Sequence, residues 1–411
     1  MLQRKKVLFV INTLGHGGAE SALIQFIRKF DPERYALYLY VVLGQGELIR
    51  RVPEHVTLLN RNYSDCDVLS HRGKRVLIRR TLRLLLRRGA LLRNLPFLLR
   101  NCGMLRGEGA HHPEKLLWQA LVDGCPALEE HFDFGVAYLE GASTYFLDRK
   151  VQADMKAAFV HTDYLRAGYT PELDRGAYAR MDRIYCVSEE TRNSFLRVYP
   201  EYAEKTDVFY NIIDCTAALH KGEHACSFDT DGYSGLRIVS LGRLIKLKAV
   251  DKSIQAMRIL KDNGKKVRWY VFGEGNARAY FEKLIEQYGV GDCFFLPGTV
   301  ENPFPYLKRA AVYCQCSAYE GRSIAISEAQ LMGCPVIASD CSGSSGQITD
   351  GVDGLLVTPT PENIAAAIQK LLDDAPLRQR LGEAAAEKMS SQCDMGDFAR
   401  LEALLDEGII I

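Results

Sequence analysis

The 411-residue sequence predicts an α/β protein built from two Rossmann-like domains, and three observations carry that reading. The chain is longer than one hydrophobic core usually supports, so two domains are expected. Apolar runs rich in β-branched residues alternate with longer helical patterns, which is how a parallel, doubly wound sheet reads in sequence. The alternation also runs twice, on either side of one polar, aperiodic interval.

In the first series KVLFVIN (6–12) leads into the helical GGAESALIQFIRKF, and YALYLYVVL (35–43), FGVAYL (134–139), AAFVH (157–161) and RIYCVS (183–188) follow. Residues 215–235, CTAALHKGEHACSFDTDGYSG, break the pattern and are expected to form a linker between a first domain at 1–214 and a second at 236–390. The second series is LRIVSLG (236–242), VRWYVFG (267–273), CFFLPG (293–298), AVYCQCS (311–317), PVIASD (335–340) and GLLVTP (354–359). Residues 391–411 form a tail expected to pack back on the first domain. Two such domains place a cleft between the C-terminal edges of their sheets, where α/β folds bind ligands.

An apolar content of 47% and an aromatic content of 9% are those of a globular chain and exclude dominant disorder. The twelve cysteines are scattered; Cys314-x-Cys316 and the pair Cys334 and Cys341 fit no zinc ribbon or finger, so a reduced cytosolic compartment is expected, with most thiols as small core residues. The basic start MLQRKK and the apolar run after it superficially suggest a signal peptide, but that run ends at Asn12 and reads better as a buried first strand. No stretch approaches the roughly 18 uninterrupted apolar residues of a membrane span.

The net charge of +1 hides an asymmetry: between Asp67 and Glu108 there is no acid, and eleven basic residues fall there. In HRGKRVLIRRTLRLLLRRGALLRNLPFLLRNCGMLR (71–106), arginine and leucine alternate at helical spacing, giving an apolar and a cationic face. Helices of this kind lie on anionic membranes, and that is the preferred reading. Plain cover over the first domain's core and nucleic-acid binding stay open, although no RNA-binding motif accompanies the segment and no nucleic-acid partner is expected.

The densest chemistry is CSAYEGRSIAISEAQLMGCPVIASD (316–340). Ser323 to Met332 scans as a helix that Gly333 ends, with Pro335 beyond. Glu320 then precedes the helix and Glu328 lies on it. Eight residues of helix span about 12 Å, so the two carboxylates can meet opposite ends of one elongated ligand while the amides at the helix start face its phosphates. A nucleotide sugar has that outline. Two solvated surface glutamates are the alternative.

Several stretches in fixed order resemble the retaining, GT-B-type glycosyltransferases known as family 4. The Glu320–Glu328 spacing resembles their E-x7-E signature. LGRLIKLKAVDKSIQAMRIL (241–260) resembles their G-R-L-x-x-x-K-G stretch at Gly242, Arg243, Leu244 and Lys248, with Ala249 where glycine is usual. VFGEGNAR (271–278), carrying Gly273 and Glu274, resembles their G-x-G turn. GHGGAE (15–20) resembles their glycine-rich first loop, and VHTDY (160–164) the segment bearing their active-site histidine. The resemblance implies a GT-B fold with an acceptor-side first domain and a nucleotide-sugar-binding second domain.

It further implies a hexosyltransferase-like enzyme that moves a sugar, with retention, from a nucleoside diphosphate sugar to a hydroxyl of a lipid-linked saccharide in cell-surface polysaccharide assembly. Arg243 and Lys248 then hold the diphosphate and offset its growing charge. Gly17 and Gly18 let the backbone approach the ligand, and His161 and Glu320 stand at the transferred sugar. Arg322, Ser323, Ile324 and Glu328 complete the donor set. Arg322, Ser323 and Gln347 depart from the family pattern at positions that line the sugar end in relatives.

Asp65-Cys66-Asp67 and Asp229-Thr230-Asp231 spell D-x-D, a metal-diphosphate motif of another glycosyltransferase fold, but both lie in polar loops, and the basic residues make a metal unnecessary. No cofactor is expected. The implied place is cytoplasmic, peripheral on the inner face of the cell membrane. Other readings are an epimerase or phosphorylase of the same fold, or a non-catalytic nucleotide-sugar-binding or scaffolding subunit.

Overall fold

The computed structural model describes residues 4–105, 113–393 and 397–407. Arg106 and positions 394–396 and 408–411 of the expected tail lie outside them. The chain divides into two compact units, one of Met1–Asn211 with Gly396–Ile411 and the other of Ile212–Met395.

Among the described residues, the first unit is built on a seven-stranded parallel sheet of β1 (Lys5–Ile11), β2 (Tyr35–Val41), β3 (Thr57–Leu58), β4 (His131–Ala137), β5 (Gln152–Val160), β6 (Arg183–Cys186) and β7 (Thr206–Val208). Its order is β3-β2-β1-β4-β5-β6-β7. The central strands are apolar on both faces, with Val7 to Ile11 wholly inaccessible, because helices cover both sides of such a sheet. The second unit carries a six-stranded parallel sheet, ordered β10-β9-β8-β11-β12-β13. Its strands are β8 (Leu236–Leu241), β9 (Val267–Phe272), β10 (Phe294–Gly298), β11 (Val312–Gln315), β12 (Val336–Ser339) and β13 (Leu355–Val357). Both units are therefore Rossmann-like. In each, the order reverses beside the first strand, and the loops leaving the central strands share the C-terminal edge.

Three expectations need correction. Residues 215–235 are not simply a linker: Cys215–Gly222 is a helix capped by Asp214, whose carboxylate accepts the Ala217 amide at 3.0 Å. Its polar composition hid a helix whose Ala218 packs with Leu331 and Met389 of the second unit. The thiols are not all reduced either, because Cys215 and Cys393 form a disulfide across 178 residues, a separation that close-spacing arguments miss. Seven of the other cysteines are buried, as core residues. Finally, residues 391 and 392 continue the helix Ala375–Gln392 rather than opening a tail.

The helix Asp397–Glu407 belongs to the first unit. Phe398 meets Phe26 and Phe30 edge-on at 6.1 and 5.0 Å, and Arg34 pairs with Glu402 at 3.1 Å and Asp406 at 2.6 Å.

The basic segment folds as helices His71–Leu86, Ala90–Arg93 and Leu95–Asn101, which pack on helix Pro113–Gly124. At Gly124 a side chain would stand 1.9 Å from the Leu84 carbonyl oxygen, so glycine permits this close approach. Asn94 is buried and donates to Asp123 at 2.7 Å, while its Oδ1 accepts from Arg175 at 2.9 Å. Arg80 turns inward to the Leu43 and Gly44 carbonyls, and burial lowers its pKa.

Candidate functional site

At the C-terminal edge of the second sheet, the loops after β8, β9 and β11 converge. The β8 loop begins with Gly242 at φ +154, and the β9 loop with Gly273 at φ +147. A Cβ on Gly273 would lie 1.9 Å from the Gly242 carbonyl oxygen, so only glycine allows these loops to touch. The β8 loop continues through Arg243 and a 3-10 turn, Lys246–Lys248, into helix Val250–Asp262. The joint is Ala249 at φ +49 and ψ +38, a left-handed conformation that an alanine adopts only at a cost.

The Ala318 amide donates to the Leu247 carbonyl at 2.9 Å and so ties the β11 loop to the β8 loop. That bond sets Glu320 beside Lys248: Lys248 Nζ donates to Glu320 Oε1 at 2.5 Å, with the two side chains only 20% and 14% exposed. Gln315, at the end of β11, donates to the same oxygen at 3.0 Å and to Ser323 Oγ at 2.8 Å. Tyr313 in turn donates to Gln315 Oε1 at 2.5 Å and fixes the amide's orientation.

Ser323 caps helix Ile324–Leu331 by accepting the Ile326 amide at 3.4 Å. Gln347 then grips the cap: its Oε1 accepts the Ser323 amide at 2.7 Å, and its Nε2 donates to the Ser323 carbonyl at 2.8 Å and to Ser327 Oγ at 3.0 Å. These bonds correct the picture of free helix-start amides, since those of Ser323 and Ile326 are taken. They also show Gln347, 2% exposed, as a clamp on the helix backbone.

Of the remaining expected residues, Arg243 is exposed, and its guanidinium has no partner among the described residues. Glu274 is held in a fork by Arg278, at 2.9 and 2.7 Å. Arg322 donates to Gln392 at 3.1 Å. Ile324 is 8% exposed, and Glu328 is half-buried on the helix. Both D-x-D sequences are drawn into ion pairs: Asp65 with Arg50 at 2.6 Å, Asp231 with Arg237 at 2.6 Å, and Asp229 with Arg309.

Gly17, Gly18 and His161 lie in the first unit. Gly17 caps helix Gly18–Ile27, and a Cβ on it would stand 2.1 Å from Glu20 Oε2, so Glu20 folds its own carboxylate over this helix start. The preceding His16 amide donates to Glu47 at 2.8 Å. Two carboxylates thus occupy a loop whose backbone is expected to approach the ligand.

His161 follows β5. Its amide donates to Glu140 Oε2 at 2.9 Å, while its Nε2 is buried without a partner among the described residues. Burial pushes the imidazole pKa down to about 3, so the ring is neutral near neutral pH. Glu140, 4% exposed just after β4, has its carboxyl pKa raised by burial against the pull of the His161 amide. Sequence reading missed Glu140, Gln315 and the roles of Gln347. The one available signal was an acid followed by glycine at the end of FGVAYL, one strand from His161.

Residues 234–388 match the family model described as glycosyl transferases group 1. Most of the second unit is thus similar to the glycosyl transferases group 1. The chain is 34% identical over 153 residues to alpha-D-kanosaminyltransferase of Streptomyces kanamyceticus, an alignment covering 36% of this chain and 39% of that protein. It is 26% identical over 204 residues to N-acetylgalactosamine-N,N'-diacetylbacillosaminyl-diphospho-undecaprenol 4-alpha-N-acetylgalactosaminyltransferase of Campylobacter jejuni, covering 49% and 54%. The chain thus spans about half or less of these relatives' lengths. Anabaena HepE in complex with UDP and glucose superposes with a TM-score of 0.69 at 16% identity, covering 98% of this chain and 100% of that one. Sucrose-phosphate synthase from Thermosynechococcus elongatus does so with 0.69 at 14%, covering 98% of each. The fold of the chain is therefore of the GT-B class.

Proposed function

We propose that the protein is a retaining glycosyltransferase that moves a sugar from a nucleoside diphosphate sugar to a hydroxyl of a lipid-linked saccharide. The observation that carries this reading is the Lys248–Glu320 pair, held by Gln315 at the C-terminal edge of the second sheet. Relatives with glycosyltransferase names, one of them naming a diphospho-undecaprenol saccharide, support the reaction class and the acceptor. The UDP and glucose bound in the HepE structure support the donor class.

In this reading the exposed Arg243 and Lys248 receive the diphosphate. A fork and a point charge offset the negative charge that grows on the leaving group as the glycosidic bond breaks, so the proposal needs no metal. The diphosphate competes with Glu320 for Lys248, and the carboxylate turns its acceptor capacity to the sugar's hydroxyls. Glu328 accepts from the ribose hydroxyls, while the Gly273 turn and Glu274, with Arg322, Ser323 and Ile324, shape the donor's surroundings. Gly17 and Gly18 give the backbone of the first loop room beside the ligand.

His161 is assigned to the transferred sugar. A buried Nε2 without a partner costs about 1–3 kcal/mol, and a sugar hydroxyl relieves that cost. A neutral ring with so low a pKa is a weak base, so the departing phosphate oxygen takes the acceptor's proton and His161 positions the sugar. Residues 71–106 bring the protein to an anionic membrane surface, which places it peripherally on the cytoplasmic face, where a lipid-linked acceptor is reached.

The test is nucleotide release from a panel of sugar donors with membrane extract as acceptor, comparing the protein with its His161→Ala variant. Donor-specific release that falls sharply in a folded variant still able to bind nucleoside diphosphate supports the proposal. Unchanged transfer removes His161 from it.

A further inference from the structure

An amphipathic helix that merely covers a core turns its aliphatic side chains inward. The segment after Ser70 does the reverse with half of its own. Six of the ten large hydrophobic side chains that stand exposed among the described residues fall here: Ile78, Leu82, Leu86, Leu92, Leu95 and Leu99, at 44% to 74% exposure. The inward face is filled by other residues: Leu85, Ala90 and Asn94 are buried, and Leu84 and Leu91 pack against the first unit's core. The outer leucines are therefore surplus to folding.

Their spacing is regular. In helix His71–Leu86, Ile78, Leu82 and Leu86 follow one another at intervals of four and form a single row. Arg75, Arg79 and Arg83, also four apart, form the row beside it, and all three are exposed. The pattern returns at Leu92, Leu95 and Leu99, with exposed Arg93 and Arg100 one position on from the first and last. No acidic residue lies between Asp67 and the end of this described stretch. An aliphatic row flanked by a guanidinium row suits a bilayer boundary, where alkyl groups enter the acyl region while arginines reach back to phosphate headgroups. A nucleic-acid groove would use the arginines and leave six leucines in water.

The geometry points to a membrane-inserting wedge: the rows Ile78–Leu82–Leu86 and Leu92–Leu95–Leu99 enter the interface of a bilayer containing anionic phospholipid, and the adjacent arginines bind its headgroups. This rests on the reading of residues 71–106 as membrane-facing and adds insertion to surface attraction. Attachment then has two parts, one that salt screens and one that it does not.

The test is flotation of the full chain with phosphatidylcholine vesicles, with or without phosphatidylglycerol, at low salt and at about 0.5 M salt, where charge attraction is largely screened. The protein is expected to float with phosphatidylglycerol vesicles and to keep a bound fraction at high salt. Arg75→Gln/Arg79→Gln/Arg83→Gln is expected to weaken low-salt attachment on the order of a hundredfold. Ile78→Ser/Leu82→Ser/Leu86→Ser is expected to attach at low salt and lose the salt-resistant fraction. Melting curves check the fold, and Leu86→Ser or Leu92→Ser alone replaces any triple variant that melts early.

Salt-resistant attachment that survives the serine substitutions overturns the wedge and leaves the surface reading standing. A wild-type protein that fails to float with phosphatidylglycerol vesicles at low salt overturns both. Saturable binding of transfer RNA without vesicle attachment assigns the segment to nucleic acid instead.

Discussion

Lys248 Nζ and Glu320 Oε1 lie 2.5 Å apart, although the two residues belong to loops that leave neighbouring strands and stand 72 positions apart in sequence. The parallel pairing of β8 with β11 makes this possible, and the Ala318 amide on the Leu247 carbonyl sets the register. Each charge is neutralised by the other until a ligand offers a better partner. Lys248→Ala leaves Glu320 with Gln315 alone and, in the proposed function, strips the diphosphate of a counter-charge. Turnover is expected to fall about 10²- to 10³-fold, the usual scale for losing one group that stabilises developing charge. Glu320→Gln keeps the shape and is expected to lose turnover with little change in melting temperature. Steady-state kinetics beside thermal melts check both, and normal turnover in Lys248→Ala removes it from the leaving-group role.

Glu328→Ala should weaken donor binding by about ten- to a hundredfold, because a hydrogen bond to a charged group is worth about 1.5–3 kcal/mol. Titration calorimetry with the nucleoside diphosphate sugar reads this directly. An unchanged dissociation constant means that the carboxylate does not reach the ribose.

His161 makes stability depend on pH. With its folded pKa depressed to about 3 from 6.5, the unfolded chain takes up a proton that the folded chain refuses. Its contribution is therefore present above about pH 6.5 and is lost as pH falls toward 3, by up to about 1.4 kcal/mol per pH unit. Asp174, raised by burial from 3.8 to about 6, acts oppositely: its contribution is full below about pH 4 and is lost as pH rises to 6. The signal to measure is thus the difference between wild type and His161→Gln in urea unfolding from pH 7 to 4. That difference is expected to shift steadily in favour of the variant as pH falls, and a constant difference contradicts the buried neutral ring.

Ala249→Gly is expected to stabilise the second unit by about 0.5–1 kcal/mol. A left-handed alanine costs about 1–2 kcal/mol, partly offset by the larger entropy glycine loses on folding. Denaturant midpoints at an unchanged m-value check this.

The strands were legible because each is a short buried run between helical patterns, as in β1 and β8. The two-residue β3 and the three-residue β7 did not stand out because neither is an apolar run: Thr57 and Asp207 are exposed. The helix Cys215–Gly222 was lost in a polar stretch because only Ala218 and Gly222 are buried in it. Sequence placed Glu320 before a helix and Glu328 on it, since Ser323 and Gly333 mark the two ends. It could not pair Glu320 with Lys248, because that depends on which strands adjoin. Gln347 read as an altered ligand residue for the same reason: its bonds to Ser323 cross 24 positions.

Sugar transfer from a nucleoside diphosphate donor is measured most directly by incubating the purified protein and its Lys248→Ala variant with a panel of labelled donors and membrane extract. Label should appear in organic-extractable product from one donor class, with stoichiometric nucleoside diphosphate release, an anomeric configuration identical to the donor's, and at least a hundredfold loss in the variant. Absence of both transfer and nucleotide binding across the panel would contradict the account.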